Sequence, residues 1–125
     1  MNKRTDTYFV SQRFYFEAAH TLNRAYEVEG SRRIHGHTYE AEVTVHGIPD
    51  PETGMLVDIA ILRNAIEQIK LCLDHQFLDE IPELGIPTLE NLCLYIKRKL
   101  ELIFPNVSNV MVERRVSGDK CVLQC

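Results

Sequence analysis

Two short stretches decide the fold: Phe16-Glu17-Ala18-Ala19-His20 and Ile34-His35-Gly36-His37. Together they contain three of the five histidines in the chain. His35 and His37 are two residues apart, and side chains at that spacing point to the same face of an extended strand. His20 ends an alternating, aromatic-rich run that is typical of another strand. If the two strands are neighbours, the three imidazoles can converge on one point.

Three converging imidazoles would form a site for a metal ion. Three neutral nitrogens with an open fourth position are the ligand set of many catalytic zinc sites. Ala18, Ala19 and Gly36 are small enough to let a ligand approach closely. A histidine pair at this spacing is also common in ordinary half-buried packing. The residues alone leave that alternative open.

The flanking sequence extends both strands. Residues 8–16 alternate and are rich in aromatic and β-branched side chains, which predicts the first strand. Residues 38–46 alternate between apolar and polar positions, which predicts a half-buried second strand. The polar, glycine-bearing stretch 23–31 is expected to be a loop. The turn-rich stretch 47–54 leads to residues 55–57, for which we expect a short third strand in an antiparallel hairpin.

Two amphipathic helices are predicted next. Apolar residues recur at spacings of three and four from Ile59 to Leu73, and Asp58 is the expected N-cap. A second stripe follows Thr88, which stands after a proline and can also act as an N-cap. Residues 107–116 and 120–124 predict a last hairpin. This order indicates an α+β class with an antiparallel four-stranded sheet and two helices packed on one face.

Composition narrows the classes of function. The 125 residues suffice for one domain with a sizeable core, so we expect residues 1–125 to form a single domain. A formal net charge of −4 and a pI of about 5.7 argue against nucleic-acid binding. No apolar run reaches the length of a membrane span and no signal segment is visible, so we expect no membrane association and a cytoplasmic protein. The four cysteines form no C-x-x-C pair and are expected to be reduced.

Six short motifs stand in an order that resembles one protein family. They are Phe16-x-Ala18-Ala19-His20, His35-Gly36-His37-x-Tyr39, Met55-x-Val57-Asp58, Leu73-Asp74-His75-x-x-Leu78, Pro87-Thr88-x-Glu90-Asn91-Leu92 and Val112-Glu113. Each motif is unspecific alone, whereas six in order are specific. Through them the chain resembles the 6-pyruvoyl-tetrahydropterin synthase and 6-carboxy-tetrahydropterin synthase family, from about Phe14 to Glu113.

The resemblance implies a tunnelling fold (T-fold), in which antiparallel sheets of three subunits close a barrel and two trimers stack into a homohexamer. It implies 7,8-dihydroneopterin triphosphate as the substrate and triphosphate elimination as the chemistry. Bacterial members of this length resemble the carboxy enzyme of queuosine biosynthesis, so 6-carboxy-5,6,7,8-tetrahydropterin synthase is the favoured activity. The alternatives are a 6-pyruvoyl-tetrahydropterin synthase, an enzyme forming 6-hydroxymethyl-dihydropterin, or a catalytically impaired pterin-binding paralogue.

The resemblance also implies roles for individual residues, motif by motif. Zn²⁺ would be held by three histidines: His20, His35 and His37. Asp74 and His75 would form an acid/base pair, since a histidine held by a carboxylate keeps one tautomer and can pass protons near neutral pH. The pterin would be anchored by a carboxylate with two polar residues nearby: Glu113, Thr88 and Glu90. From the residues alone, Asp74-His75 also fits a helix C-terminus, and Glu113 also fits a solvated strand.

The chain departs from the family at the expected base, which is usually a cysteine before the His-Gly-His motif. Carboxy enzymes carry it four residues before the first of those histidines, where this chain has Ser31. Animal-type enzymes carry it two residues earlier, where this chain has Glu29, and no cysteine precedes Cys72. A serine hydroxyl is a far weaker base than a thiolate. We therefore expect a carboxylate base, Glu29 first and Glu27 second, and the product stays open among the alternatives above.

Overall fold

The computed structural model describes residues 6–22, 26 and 28–125. Five strands lie in this part of the chain: β1 (Tyr8–His20), β2 (His35–Gly47), β3 (Gln76–Phe77), β4 (Val107–Arg114) and β5 (Asp119–Gln124). The α-helices there are α1 (Val28–Arg32), α2 (Ile59–Leu73) and α3 (Leu89–Glu101), and a 3₁₀ helix spans Leu78–Glu80. None of these helices is long and apolar enough to cross a membrane.

The strands form one sheet in the order β3-β1-β2-β4-β5. β1 and β2 pair antiparallel along their whole length, from Tyr8 opposite Gly47 to His20 opposite His35. β4 and β5 continue the antiparallel ladder, whereas the short β3 runs parallel to β1. The α+β class with two helices packed on a sheet is confirmed. The predicted strand number is wrong by one, because the sheet has five strands.

One face of the sheet is apolar and lies under α2 and α3; we call it the core face. It carries the even-numbered residues of β1 and the odd-numbered residues of β2, with the buried side chains of both helices packed over them. Phe16 and Tyr39 lie directly opposite each other there and stack with ring centroids 4.9 Å apart. Such a pair stabilises a fold by about 0.5–1.5 kcal/mol beyond its area burial. The other side of the sheet, which we call the open face, carries mostly polar side chains on β1 and β2.

Both predicted helix caps are confirmed. The Asp58 side chain accepts a hydrogen bond from the backbone N–H of Ala60, over 2.9 Å. The Thr88 hydroxyl accepts one from the N–H of Asn91, over 3.1 Å. Each cap satisfies a backbone donor that has no partner inside the helix, and loss of such a cap typically costs about 1 kcal/mol.

Two predictions around these elements are wrong. Residues 55–57 form no strand, because β2 already pairs with β1 on one edge and with β4 on the other, which leaves no free ladder for a hairpin partner. The expected loop at 23–31 instead includes the start of α1, which spans Val28–Arg32 within the described residues. The fifth strand, Gln76–Phe77, falls in a stretch that has only two ladder positions opposite Ala18 and Ala19, too short for an alternating pattern to reveal.

Candidate active site

The β1–β2 register assembles three histidines at one end of the core face. His20 lies opposite His35, and Ala18 lies opposite His37, so all three imidazoles project to the same side. Their ring centroids are 4.4 Å (His20–His35), 4.9 Å (His20–His37) and 5.0 Å (His35–His37) apart. One ring nitrogen from each lies within 4.8 Å of the others. The sequence-predicted triad is therefore brought together.

His20 is the buried member of the triad. Its side chain is fully buried, and neither ring nitrogen has a hydrogen-bond partner within the described residues. Burial lowers the pKa of His20 to about 4, helped by the neighbouring His35, His37 and Arg114. His20 is thus neutral at physiological pH and has an unused lone pair. A buried polar group without a partner is costly, and a metal ion would satisfy it.

His35 has the support expected of a metal ligand. Its Nδ1 lies 2.8 Å from the backbone carbonyl oxygen of Arg33. When Nδ1 donates to this carbonyl, the lone pair is on Nε2, which is free to bind a metal. Ligating histidines commonly have this second hydrogen bond, which fixes the tautomer and the ring orientation. The donor set and its surroundings therefore fit a metal ion.

Arg114 is the residue near the triad that sequence reasoning missed. Its Nη1 lies 3.4 Å from His37 Nε2, and its Nη2 lies 3.0 Å from Asp119 Oδ2. Its Nε is buried and has no hydrogen-bond partner among the described residues, and the same holds for the hydroxyl of Tyr39. Burial raises the pKa of Tyr39 to about 12, and Arg114 acts in the opposite direction. A permanent cation is thus in contact with one of the three histidines.

Asp74 and His75 form a compact pair after the last residue of α2. Asp74 Oδ1 accepts the backbone N–H of Glu17 over 2.9 Å, and Asp74 Oδ2 lies 3.0 Å from His75 Nδ1. The pKa of Asp74 is lowered, first by the Glu17 hydrogen bond and also by His75. His75 has a φ of +58° and a side chain that is 75% exposed. The sequence-predicted pair is formed, with its imidazole open to ligands.

A surface cavity of about 620 Å³ borders one member of the pair and one member of the triad. It is lined by residues 17–19 of β1, residues 36–38 of β2 and residues 75–77. His37 and His75 therefore border the same cavity, and Gly36 lies between the two histidines of β2. A small molecule in this cavity could reach both a triad member and the exposed imidazole of His75.

Glu113 lies on the open face, away from the triad. It stands directly opposite Glu40 on β2, whose neighbour Tyr39 faces the core. The Glu113 carboxylate is half-buried, with Arg115 Nε 3.6 Å from its Oε1. Arg115 also contacts Glu40, which is nearly fully buried and is further bound by Arg13. A single chain therefore does not bring Glu113 and the histidine triad to the same face.

The remaining sequence-predicted residues lie elsewhere. The Thr88 hydroxyl is used as the N-cap of α3, and Glu90 is exposed in the first turn of that helix. Glu29 is exposed in α1, six residues before His35. The side chain of Ser31 and all of Glu27 lie outside the described residues.

The position of Arg114 beside His37 could be predicted only once the order of the strands in the sheet was known. Strand alternation puts Arg114 on the core face, because its neighbour Glu113 is on the open face. Its contact with His37 spans 77 positions of sequence. Nothing in the local pattern Glu113-Arg114-Arg115 indicates which of the two arginines faces the histidines.

Comparison with known proteins agrees with this geometry. The family model for 6-pyruvoyl tetrahydropterin synthase matches residues 9–122. The chain is 36% identical over 110 residues to the human protein named 6-pyruvoyl tetrahydrobiopterin synthase, which covers 77% of this chain and 76% of the human one. It is 35% identical over 100 residues to the Synechocystis protein named 6-carboxy-5,6,7,8-tetrahydropterin synthase, with 75% of each chain covered.

A solved structure agrees as well. The Caenorhabditis elegans 6-pyruvoyl tetrahydropterin synthase superposes with a TM-score of 0.85, over 99% of both chains and at 23% sequence identity. The T-fold inferred from the sequence is therefore confirmed. With a family model that spans almost the whole chain, and relatives above 30% identity, this protein belongs to the 6-pyruvoyl tetrahydropterin synthase family.

Proposed function

We propose that the protein is a zinc-dependent lyase that acts on 7,8-dihydroneopterin triphosphate and forms 6-carboxy-5,6,7,8-tetrahydropterin, the product used in queuosine biosynthesis. The observation that carries the proposal is the shared cavity, which His37 of the triad and His75 of the acid/base pair both line. A metal-binding group and a proton-transfer group at one cavity suit an elimination next to a carbonyl or hydroxyl. The Synechocystis relative supports the choice of product.

Zinc is the metal that the triad suits best. The three ligands are imidazole nitrogens without thiolate or carboxylate, and among the described residues the cluster contains no fourth ligand for the open position. When bound, Zn²⁺ supplies Lewis-acid polarisation of a substrate oxygen. The chain itself contributes His20 as a ligand that is already neutral and already desolvated.

The Asp74–His75 pair would move protons at His75 Nε2. Asp74 Oδ2 lies against His75 Nδ1 and favours the tautomer in which Nδ1 carries the hydrogen. The lone pair is then on Nε2, which lies 4.0 Å from the Glu17 carboxylate in a side chain that is 75% exposed, and it can accept a proton from the substrate. The Glu17 N–H bond to Asp74 Oδ1 keeps the carboxylate ionised and in place. This is the arrangement of an oriented general base.

Glu113 would anchor the pterin ring through its two carboxylate oxygens, with Thr88 and Glu90 at the periphery. Glu113 is not among the residues that line the cavity of His37 and His75, so we infer that a complete site needs surfaces from more than one copy of the chain. We therefore propose an oligomer, a homohexamer built as a dimer of trimers. The outer edge of β1 pairs with β3 only at Ala18 and Ala19, and an edge strand of this kind can pair with another copy of the chain.

The base that removes the first proton cannot be the cysteine that is usual in the family, because no cysteine precedes Cys72. The exposed carboxylate of Glu29, in α1 next to the triad in sequence, is our candidate, with Glu27 second and Ser31 as the weaker hydroxyl alternative. Pyruvoyl-type elimination, cleavage to 6-hydroxymethyl-dihydropterin and binding without turnover are the competing outcomes. Each gives a different mass for the pterin recovered after incubation.

The metal assignment predicts selective loss of zinc. His35→Ala should remove stoichiometric zinc, because two imidazoles bind the ion far more weakly than three. His46→Ala is the matched control, since His46 stands at the other end of β2 and stacks on Phe9 with centroids 5.8 Å apart. Zinc per subunit would be measured by plasma emission after dialysis. Stoichiometric zinc retained by His35→Ala would refute the triad as the metal site.

The catalytic proposal predicts a carboxylate base in the segment before β2, with Glu29 of α1 as the first candidate. In an assay with 7,8-dihydroneopterin triphosphate and mass identification of the product, Glu29→Gln should lower kcat by about 100-fold, the usual size of a general-base contribution. Ser31→Ala should change it little, and Glu67→Gln, an exposed glutamate on α2, is the control. The reverse pattern would give the role to Ser31. Absence of turnover together with pterin binding would favour the impaired paralogue.

The anchor assignment predicts weaker pterin binding without loss of fold. Glu113→Ala removes a charged hydrogen-bond acceptor, which typically costs about 1.5–3 kcal/mol of binding free energy. Glu42→Ala is the matched control, because Glu42 lies on the same face and is bound by Arg13 over 2.6 Å. Calorimetric titration with 7,8-dihydroneopterin measures both. Equal affinities in the two variants would mean that Glu113 is only a surface charge.

A further inference from the structure

Arg114 contacts His37, a proposed metal ligand, at the ring nitrogen Nε2. Its Nη1 is 3.4 Å from His37 Nε2, its side chain is 18% exposed, and Asp119 is bound to Nη2 over 3.0 Å. The guanidinium group has N–H donors only and stays protonated in proteins. A neutral imidazole has one N–H donor and one lone pair. The contact therefore needs the lone pair of His37 on Nε2.

The same lone pair is what a metal ion requires. If the metal binds His37 through Nε2, it takes the electron pair that Arg114 uses. If the metal binds through Nδ1, the hydrogen moves to Nε2, and two donors then face each other. In both tautomers the Arg114–His37 contact and a His37–metal bond exclude one another. The positive charge of the guanidinium opposes a divalent cation as well.

We propose that Arg114 competes with the metal ion for His37, so that metal loading requires Arg114 to leave this histidine. The inference rests on the proposed use of the triad as the metal site. Arg114 is then a positioning residue that sets the metal affinity and does not itself touch the substrate. Arg114 directly follows the proposed anchor Glu113, so a movement of Arg114 on metal binding would also affect the last residues of β4.

The structure offers Arg114 an acceptor after its release. The Tyr39 hydroxyl is buried and has no hydrogen-bond partner among the described residues, and Arg114 Nε is in the same state. The Tyr39 ring lies edge-on against the ring of His37, with centroids 5.6 Å apart, so Tyr39 belongs to the same cluster. Asp119, which also accepts from the Ser117 hydroxyl over 2.8 Å, can hold Nη2 through the movement. Two unpartnered buried groups would then satisfy each other.

The test is the zinc affinity of Arg114→Met, measured by competition with a chromophoric chelator. The variant keeps the apolar stem but has no donor and no charge, so it should bind Zn²⁺ about 10-fold more tightly than the unmodified protein, the lower end of typical effects around metal ligands. Arg115→Met is the matched control: it removes the same charge one residue away, from the open face. We expect no change in its zinc affinity.

The sign of the effect separates this role from a structural one. An arginine that only supports the site would, when removed, weaken zinc binding, so equal or weaker affinity in Arg114→Met overturns the inference. The His35→Ala variant, measured in parallel, tests independently whether the triad is the metal site: loss of its zinc shows that it is. If Arg114→Met does not fold, a crystal structure of the zinc-loaded unmodified protein decides. We expect Arg114 Nη1 beyond hydrogen-bond distance of His37, and a retained contact would overturn the proposal.

Discussion

The antiparallel register between β1 and β2 is the constraint on which the rest of the structure depends. It runs without interruption from the Tyr8–Gly47 pair to the His20–His35 pair. A slip of one residue would move every side chain of a strand to the other face. Such a slip is opposed by the stacking of Phe16 on Tyr39, which lies two residues after His37. It is also opposed by the buried side chains of α2 and α3 that pack on this face. The apolar packing that stabilises the core therefore also keeps the three histidine side chains on the same face of the sheet.

The two faces of the sheet carry different ionisable groups. The core face ends in a triad of imidazoles beside the half-buried Arg114, while the open face carries Glu113 together with the buried Glu40 and its arginine partners. The cavity near the end of β1 is lined by residues of both faces, among them His37 of the core face and Thr38 of the open face. Within one chain, His37 of the triad and His75 of the Asp74–His75 pair border this cavity. Glu113, the proposed anchor for the ring, is not among the residues that line this cavity.

Much of this could be predicted from the sequence, for identifiable reasons. The clean alternation of β2 and the three-and-four spacing in α2 and α3 reflect burial on one side, which local patterns record well. The β3 strand could not be predicted, because a two-residue ladder has no period. The error at residues 55–57 arose because only the sheet order shows that both edges of β2 are occupied. The contact of Arg114 with His37 depends on β2–β4 pairing, and no local motif encodes that pairing.

The central claim is that three histidines, aligned by one strand register, hold one metal ion. Zinc K-edge X-ray absorption of the protein loaded with one equivalent of Zn²⁺ tests it most directly. The account predicts a first shell of nitrogen or oxygen atoms at about 2.0–2.1 Å with the outer-shell scattering of three imidazoles. A sulfur atom at about 2.3 Å, or scattering from fewer than three imidazoles, would contradict it.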